Sequence, residues 1–508
     1  MSVRVRYAPS PTGSPHVGNI RTALFCYLYS RHTGGENMIR LEDTDRTRYV
    51  PGSEEDIMES LHWVGIEWEE GPDKGGPYAP YRQSERKETG IYQPYIDQLL
   101  ASGQGYKAFD TPEELAEMRK IQEQNKKALG YFGGDWREAM PEQVAETEKA
   151  GKPFVIRLKM PRGRTLSCVD AVRGRIEWDS DTCDDQVMIK ADGMPTYHFA
   201  AMVDDHLMGI THVIRGEEWI SSTPKHVFLL ESLGWEPPIF VHTTIIKGKD
   251  GSKLSKRHGD TRCLDFRAAG YLPEALVNFI ALIGWAPGGD RELMSKAQLI
   301  EAFTLDGLQP SPGVFDIDKL RWMNGNYIRA LDPLDLGARL EAYVSSEETF
   351  EYWLKPEFAT EGTHAYLGLL REGFARGKSY ALATLPLVQE RVHTLADFGE
   401  ATAFFFNDEP PMDPKAVEKW FGEPYVGPLF DRFILELGIA PKTLAELETI
   451  VRDYAAEAGF EKLGPIVHPL RVALTGKTTG PGLFELMEVL GKDRMVARLT
   501  RAKGLLKL

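Results

Sequence analysis

The sequence is sparing with cysteine, and the four it has are scattered. Cys26, Cys168, Cys183 and Cys263 show no C-x-x-C spacing. They read as reduced, buried small residues of a cytoplasmic protein rather than as a disulfide framework. Long apolar runs are missing too. The longest, 276–286, is interrupted by Asn278 and is too short to span a bilayer. The N-terminus carries no apolar h-region, so no secretory signal is expected. Positive charge is in deficit: the net charge is -15 over 508 residues, which taken in bulk argues against a phosphate-bearing partner. Neither G-x-G-x-x-G nor G-x-x-x-x-G-K-[ST] occurs, and no Ser-His-Asp arrangement can be assembled. Fixed-period repeats and low-complexity tracts are absent as well. What remains is a chain long enough for several domains, with the 42% hydrophobic and 27% charged content of an ordinary globular protein.

The informative stretch is the first one. Val3, Val5 and Tyr7 alternate with Arg4 and Arg6, which is strand period. Pro9, Pro11, Gly13 and Pro15 then break every regular option, and from Val17 the spacing of Ile20, Leu24, Tyr27 and Leu28 is helical. Strand, tight loop and helix N-terminus is where α/β sheets hold phosphates. Here such a site would rest on His16 and the backbone N–H groups around Gly18 and Asn19. A second stretch, Lys249-Asp250-Gly251-Ser252-Lys253-Leu254-Ser255-Lys256-Arg257-His258-Gly259, follows a strand expected over 239–246. It sets two lysines three apart among small residues, which suits gripping a polyphosphate.

Together the two stretches carry a resemblance. Pro15-His16-Val17-Gly18-Asn19 resembles the His-x-Gly-His element of class I aminoacyl-tRNA synthetases, with Asn19 where the family has its second His. Lys253-Leu254-Ser255-Lys256-Arg257 resembles their Lys-Met-Ser-Lys-Ser loop. The strings Ala8-Pro9-Ser10-Pro11-Thr12-Gly13, Arg40-Leu41-Glu42-Asp43-Thr44-Asp45-Arg46 and Ile214-Arg215-Gly216-Glu217-Glu218-Trp219 look like those of bacterial glutamyl-tRNA synthetases. The resemblance covers nearly the whole chain.

It implies an α/β fold: a class I Rossmann-like parallel-sheet catalytic domain, an inserted α+β acceptor-binding domain and an all-α C-terminal anticodon-binding region. The expected boundaries are 1–102 and 187–247 for the two halves of the catalytic domain and 103–186 for the insertion. A basic loop and stem-contact region would cover 248–329, and the helical region 330–508. In the insertion, β segments are expected near 154–160 and 173–178, and the sheet is expected to resume over 187–190 and 193–203. The helical end distinguishes the chain from glutamine-specific relatives, which end in β-barrels. Within it, Thr443-Leu444-Ala445-Glu446 is a capping box ahead of an amphipathic face of Leu444, Leu447, Val451, Tyr454, Ala455 and Ala458. The acidic bulk is met by a local surplus: 471–508 holds eight basic and three acidic residues.

The reaction implied is ATP-dependent: glutamyl-adenylate forms first, then the ester on tRNA(Glu). His16, Asn19, Lys253 and Lys256 would be catalytic. ATP would meet His16, Gly18, Asn19, Lys253, Leu254, Ser255, Lys256 and Arg257. Gly248, Gly251 and Gly259 would let the loop close and reopen. Glutamate would meet Arg6, Ala8, Ser10, Glu42, Tyr197 and Arg215. On the residues alone each reads another way as well. Arg6 could be an exposed strand residue, Glu42 and Asp43 a metal pair or surface turn, Tyr197 core, and Arg215 a surface ion pair with Glu217 or Glu218. Mg²⁺ is expected through the ATP phosphates.

No structural zinc is expected. The segments matching the family's knuckle read Ala108-Phe109-Asp110 and Gly134-Asp135-Trp136, and His198, His206 and His212 lie near no cysteine pair. Gly476-Lys477-Thr478 lacks the upstream glycine of a phosphate loop and reads as a turn between helices. A monomer in the cytoplasm, without a membrane, is expected. Two alternatives stand beside this reading. One is a non-discriminating enzyme that also charges tRNA(Gln) with glutamate. The other is a catalytically inactive RNA-binding paralogue, which would be expected to have lost His16, Lys253 or Lys256; all three are present.

Overall fold

The computed structural model describes residues 2–254, 261–358, 362–439 and 442–506. Ser255, Lys256, Arg257 and Gly259 lie outside the described residues. The chain forms two compact units, Met1–Cys263 with Leu276–Asp316, and Leu264–Ala275 with Ile317–Leu508.

The first unit is built on a six-stranded sheet. Its strands are β1 (Arg4–Tyr7), β2 (Glu36–Ile39), β5 (Thr165–Asp170), β6 (Gly174–Asp179), β8 (His212–Gly216) and β9 (Ile239–Thr243), in the order β2-β1-β8-β9-β5-β6. All neighbours are parallel except the β5–β6 hairpin at one edge. A parallel sheet is covered on both faces, and this changes the meaning of the opening alternation. Val5 and Tyr7 are buried as expected, but so is Arg6, at 3% exposure. A buried guanidinium needs partners, and Arg6 is therefore a structural statement before it is a surface one.

The first helix, α1 (Val17–Thr33), starts from His16 in extended conformation and ends at Gly34 with φ 65°. That left-handed value is open to glycine at little cost and closes the helix. Ten of its residues are buried, on most sides of the helix, as befits an element packed under the sheet.

The insertion differs from expectation in which strands it owns. β3 (Gly105–Ala108), β4 (Val155–Leu158) and β7 (Val187–Ile189) form a separate antiparallel sheet. Thus 187–189 closes the small sheet instead of resuming the main one. The hairpin at 173–178 leaves the insertion and extends the main sheet through the pairing of Asp170 with Phe240. The segment 193–203 is not a strand: the helix Tyr197–Leu207 begins there behind Thr196. Phe199 to Val203 are all buried. A continuous apolar run fits a buried strand and a buried helix equally well, and only the tertiary partners decide.

In the second unit every regular element from Ile317 onward, among the described residues, is helical. Thr443 and Glu446 form the expected capping box, and behind it Leu447, Val451 and Ala455 are buried. Gly476 stops the helix Gly464–Thr475 with φ 80°, and Lys477 pairs with Glu400 at 2.8 Å, so the Gly-Lys-Thr string is a helix stop. The basic surplus near the end is partly structural. Arg498 is 2% exposed and donates to the carbonyls of Leu474, Phe404 and Asn407 at 2.5, 2.6 and 2.8 Å. Arg501 donates to Pro410 at 2.7 Å. Arg498 thereby caps helix ends by supplying donors to orphan carbonyls, and Arg501 ties down the loop after Asn407.

Candidate active site

The carboxyl ends of β1 and β8 and the start of α1 open into a cavity of about 850 Å³. Arg6, Ala8, Ser10, Asn19, Glu42, Tyr197 and Arg215 all line it, with Asp43, His198, Glu218 and Trp219. Residues more than two hundred positions apart in the chain are thus gathered at one edge of the sheet. A second, more open cavity of about 790 Å³ lies in the insertion, lined by Met118, Ile121, Phe132 and Arg162. It holds none of the motif residues, and the convergent polar groups mark the first cavity as the site.

At the helix start, His16 Nδ1 accepts from the Gly18 N–H at 3.0 Å, and the His16 N–H donates to Asn19 Oδ1 at 3.2 Å. This reciprocal cap has a chemical consequence. With Nδ1 accepting, the ring proton sits on Nε2, so the imidazole presents a donor outward while neutral. Burial, with the Lys253 ammonium added, holds the His16 imidazole below its usual range and keeps it neutral. The cap also explains Gly18. A Cβ there would lie 2.8 Å from His16 Cε1, so any side chain would push the ring away.

The backbone N–H groups expected to hold phosphate are already engaged. Val17 donates to Thr261 O at 2.9 Å, Gly18 to the His16 ring, and Asn19 to His16 O at 2.9 Å. The donors left at this end are the His16 Nε2–H and the Asn19 amide NH₂.

The basic loop approaches from the other side. Ile246–Lys247 pairs with Gly313–Val314, and Lys247 bridges Lys253 across a turn in which Gly248 donates to Ser252 O at 2.9 Å and Gly251 has φ 77°. Lys253 is exposed, and its charge is felt at His16. Just past the loop, the Cys263 N–H donates to Pro15 O at 3.0 Å, and Arg262 bridges His16. The far flank of the loop, 261–263, is therefore tied to the segment that carries His16. Lys256, Ser255 and Arg257 lie outside the described residues, while Leu254 holds the loop's base through its N–H to Ile246 O at 2.9 Å.

The floor of the cavity is charged and almost dry. Arg6 grips Asp205 with Nε at 2.9 Å and Nη2 at 3.3 Å. Arg40 donates to Asp205 at 2.7 Å and to Glu42 at 3.0 Å, and Arg86 donates to Asp204 at 2.7 Å. Gln83 and Tyr92 each donate to the other Asp204 oxygen at 2.9 Å. Three guanidiniums face three carboxylates, so this network balances. Burial raises the Glu42 carboxyl, and Arg40 and Arg6 work against that rise. Burial also opposes the Asp205 charge, but Arg6 and Arg40 outweigh it and hold the acid below its usual range.

Arg215 is held differently. Nε donates to His242 Nε2 at 3.0 Å, Nη1 to His226 Nδ1 at 3.1 Å and Nη2 to Thr223 Oγ1 at 3.0 Å. Phe240 lies under it at 4.9 Å. Its surface-pair alternative fails: it is 4% exposed, and among the described residues it makes no ion pair with a carboxylate. Burial first, then Arg6 nearby, hold its pKa below the usual value even though Tyr197 and Asp205 act the other way. A buried cation satisfied only by neutral acceptors is an unfinished ion pair. Tyr197 leans on Trp219, ring centroids 4.2 Å apart, at the rim of the same space.

Asp204, Asp205, His226 and His242 were not foreseen from the sequence. The signal for the first two was there: two adjacent acids in an otherwise apolar helix must find buried cations. His198, weighed only as a zinc ligand, instead pairs with His226 at 2.9 Å, His206 stacks on Trp235, and His212 meets Tyr29.

Residues 2–322 match the family described as class I tRNA synthetases (E and Q), catalytic domain, and residues 353–503 match an anticodon binding domain. The chain is 43% identical to the glutamate–tRNA ligase of Thermus thermophilus over 98% of its length and 99% of the relative's. It is also 43% identical to that of Roseiflexus castenholzii, over 99% and 96%. The crystal structure of a glutamate tRNA ligase from Elizabethkingia meningosepticum superposes with a TM-score of 0.87 at 36% identity, covering all of both chains. A glutamate-tRNA synthetase from Elizabethkingia anophelis gives 0.84 at 35%, covering 99% of this chain and 100% of that one.

Proposed function

The chain belongs to the class I tRNA synthetases, among the glutamate–tRNA ligases, and from that we propose how its residues carry the ligation of L-glutamate to tRNA(Glu). The observation that carries the assignment is Arg215, a buried cation without a carboxylate partner among the described residues, in the cavity that Asn19 of α1 also lines. A glutamate carboxylate completes that pair. Arg6 keeps its grip on Asp205 and lends positive potential beside it, and Glu42, with one oxygen on Arg40, receives the α-ammonium. Ala8, Ser10 and Tyr197 shape the walls. Glutamine offers a neutral amide and would leave Arg215 unpaired, a penalty of roughly 2–5 kcal/mol. Aspartate, one methylene short, loses about 1–3 kcal/mol of packing and the arginine contact as well.

The α-carboxylate attacks the α-phosphorus of ATP, the bond to the β-phosphate oxygen breaks, and pyrophosphate leaves. His16 Nε2–H and the Asn19 amide meet the phosphates from α1. Lys253 and Lys256 meet the charge that builds on the departing pyrophosphate, as compact and movable ammonium groups can. In the second step the 2′-hydroxyl of the terminal ribose attacks the activated carbonyl and AMP departs. Neither step needs a covalent bond to the protein, so positioning and charge suffice. Mg²⁺, held mainly by the phosphates and its own waters, neutralises polyphosphate charge when bound. That mode asks for no carboxylate cage, which fits an α1 end that offers donors rather than acids.

We assign 1–102 and 187–247 to catalysis, except the strand 187–189 that closes the small sheet, 103–186 to the acceptor end, except the hairpin 165–179 that joins the main sheet, 248–329 to the loop and stem contacts, and 330–508 to the anticodon. In the helical unit a cavity of about 330 Å³, lined by Arg391, His393, Lys477 and Gly480 together with Asp397 and Glu400, is of a size to take a nucleobase. The enzyme acts in the cytoplasm as a monomer. Charging of purified tRNA(Glu) and tRNA(Gln) side by side tests the assignment. Esterification of tRNA(Glu) alone is the expected result, equal charging of both tRNAs would make the enzyme non-discriminating, and charging of neither would remove the function.

A further inference from the structure

The groups that hold Arg215 belong to two hydrogen-bond chains that the ligation mechanism above does not use. A guanidinium has donors only, so each imidazole nitrogen that faces it must be the unprotonated one. That fixes both rings. His242 accepts at Nε2, carries its proton on Nδ1, and donates it to Asp170 Oδ2 at 2.7 Å. Asp170 is anchored in turn by the N–H groups of Val172, Arg173 and His242 at 3.0, 2.9 and 3.0 Å. His226 accepts at Nδ1, carries its proton on Nε2, and donates it to His198 Nδ1 at 2.9 Å. His226, His242 and Asp170 are buried and His198 is partly buried, and they come from four different elements.

We infer that His226 and His242, backed by His198 and Asp170, are positioning residues for glutamate recognition: neutral acceptors of fixed tautomer that aim Arg215 without cancelling its charge. This rests on the assignment of Arg215 to a glutamate carboxylate. The chemistry explains why imidazoles stand here. A carboxylate at position 226 would pair with Arg215 and compete with the substrate. An apolar residue would leave a buried N–H without an acceptor. A neutral imidazole satisfies the N–H and leaves the positive charge for the ligand.

The surroundings enforce neutrality. Lys225 stands beside His226 on its own helix, paired with Asp184 and donating to Gln186, while Arg215 faces it from β8 and His198 and Tyr197 from the helix Tyr197–Leu207. Behind His242, Arg173 is paired with Glu217, and Asp170 is the one acid in contact with the ring among the described residues. Protonating His226 would remove the acceptor from Arg215 and set a like charge against it.

The test uses the full chain in steady-state charging at saturating tRNA, reading the glutamate KM, the ATP KM and kcat separately. His226→Leu should raise the glutamate KM about tenfold or more, with the ATP KM within about twofold. His226→Asn places Oδ1 where Nδ1 stood and should recover most of that loss, and His242→Gln, which places Oε1 where Nε2 stood, should keep the glutamate KM near its native value. In the native protein the glutamate KM should climb only as pH falls well below the ordinary imidazole range, because burial and the Arg215 charge hold His226 down, and His226→Asn should flatten that climb. Equal damage from Leu and Asn, or a parallel rise in the ATP KM, would overturn the inference. Should His226→Leu fail to fold, the pH profiles of His226→Asn and His242→Gln decide, and an acid limb unchanged in both overturns it. Arg215→Ala separates the two readings. If it leaves the glutamate KM unmoved, the glutamate assignment falls and this inference with it. If it raises that KM while the His226 variants do not, only the positioning role falls.

Discussion

At position 18 one hydrogen atom decides where the His16 ring, proposed to be catalytic, sits. The His16 imidazole packs so closely on Gly18 that a Cβ would come within 2.8 Å of Cε1 and 3.0 Å of Nδ1. Gly18→Ala should therefore displace the ring and break its cap. The cost to stability should be small, about 1 kcal/mol, because the rest of the cap survives. Turnover should fall by about 100-fold, since a displacement of this kind misplaces a donor meant for phosphate. Stopped-flow or steady-state charging against a denaturant midpoint separates the two. A variant with native turnover would show that the ring's placement does not matter. The same scale explains what the residues alone did and did not disclose. His16, Gly18, Lys253 and Arg215 were legible because their neighbours in sequence spell out the motif. Asp205 and His242 were not, because their meaning comes from partners 199 and 27 residues away.

At the level of elements, the helices Tyr197–Leu207 and Thr223–Leu233 lay a half-buried and a buried histidine, His198 and His226, against the end of β8 and β9. Burial, joined by Lys225 and Arg215, pushes His198 down to about 4 from an ordinary 6.5. The unfolded chain then binds more protons than the folded one between those values, so stability must fall as pH drops through that window. His198 alone accounts for about 2 kcal/mol between pH 7 and pH 5. His226, also lowered, adds in the same direction. Urea midpoints at the two pH values, native against His198→Asn, measure it, and a native midpoint that stays flat would contradict the burial of these rings. The elements also show where periodicity loses its power. Val187–Ile189 and Phe199–Val203 are both short apolar runs. One became an edge of the small sheet and the other a helix, because hydrogen-bond partners, not spacing, settle such runs. The capped helices, at Thr111, Ser295 and Thr443, carry their start signals locally. Of these, the box at Thr443 is legible in the sequence.

Across the whole molecule, an acidic chain of net charge -15 handles one polyanion, tRNA, and activates with another, ATP. The basic residues that matter are therefore few and local, and several that look free in the sequence, such as Arg498 and Arg501, are committed to holding helices together. What the fold contributes is convergence. The sheet order β2-β1-β8-β9 brings Arg6 and Arg215 to neighbouring strands. The backbone ties between 15–17 and 261–263 bring the far flank of the lysine loop to His16. The most direct measurement of that convergence is tRNA-dependent exchange of pyrophosphate into ATP with glutamate present, for Lys256→Ala against the native chain. Exchange should fall by at least about 100-fold while tRNA(Glu) still binds with native affinity, because a cation meeting the leaving pyrophosphate acts on the transition state and not on the tRNA. Exchange at the native rate would mean that the loop does not reach the triphosphate proposed to lie at His16.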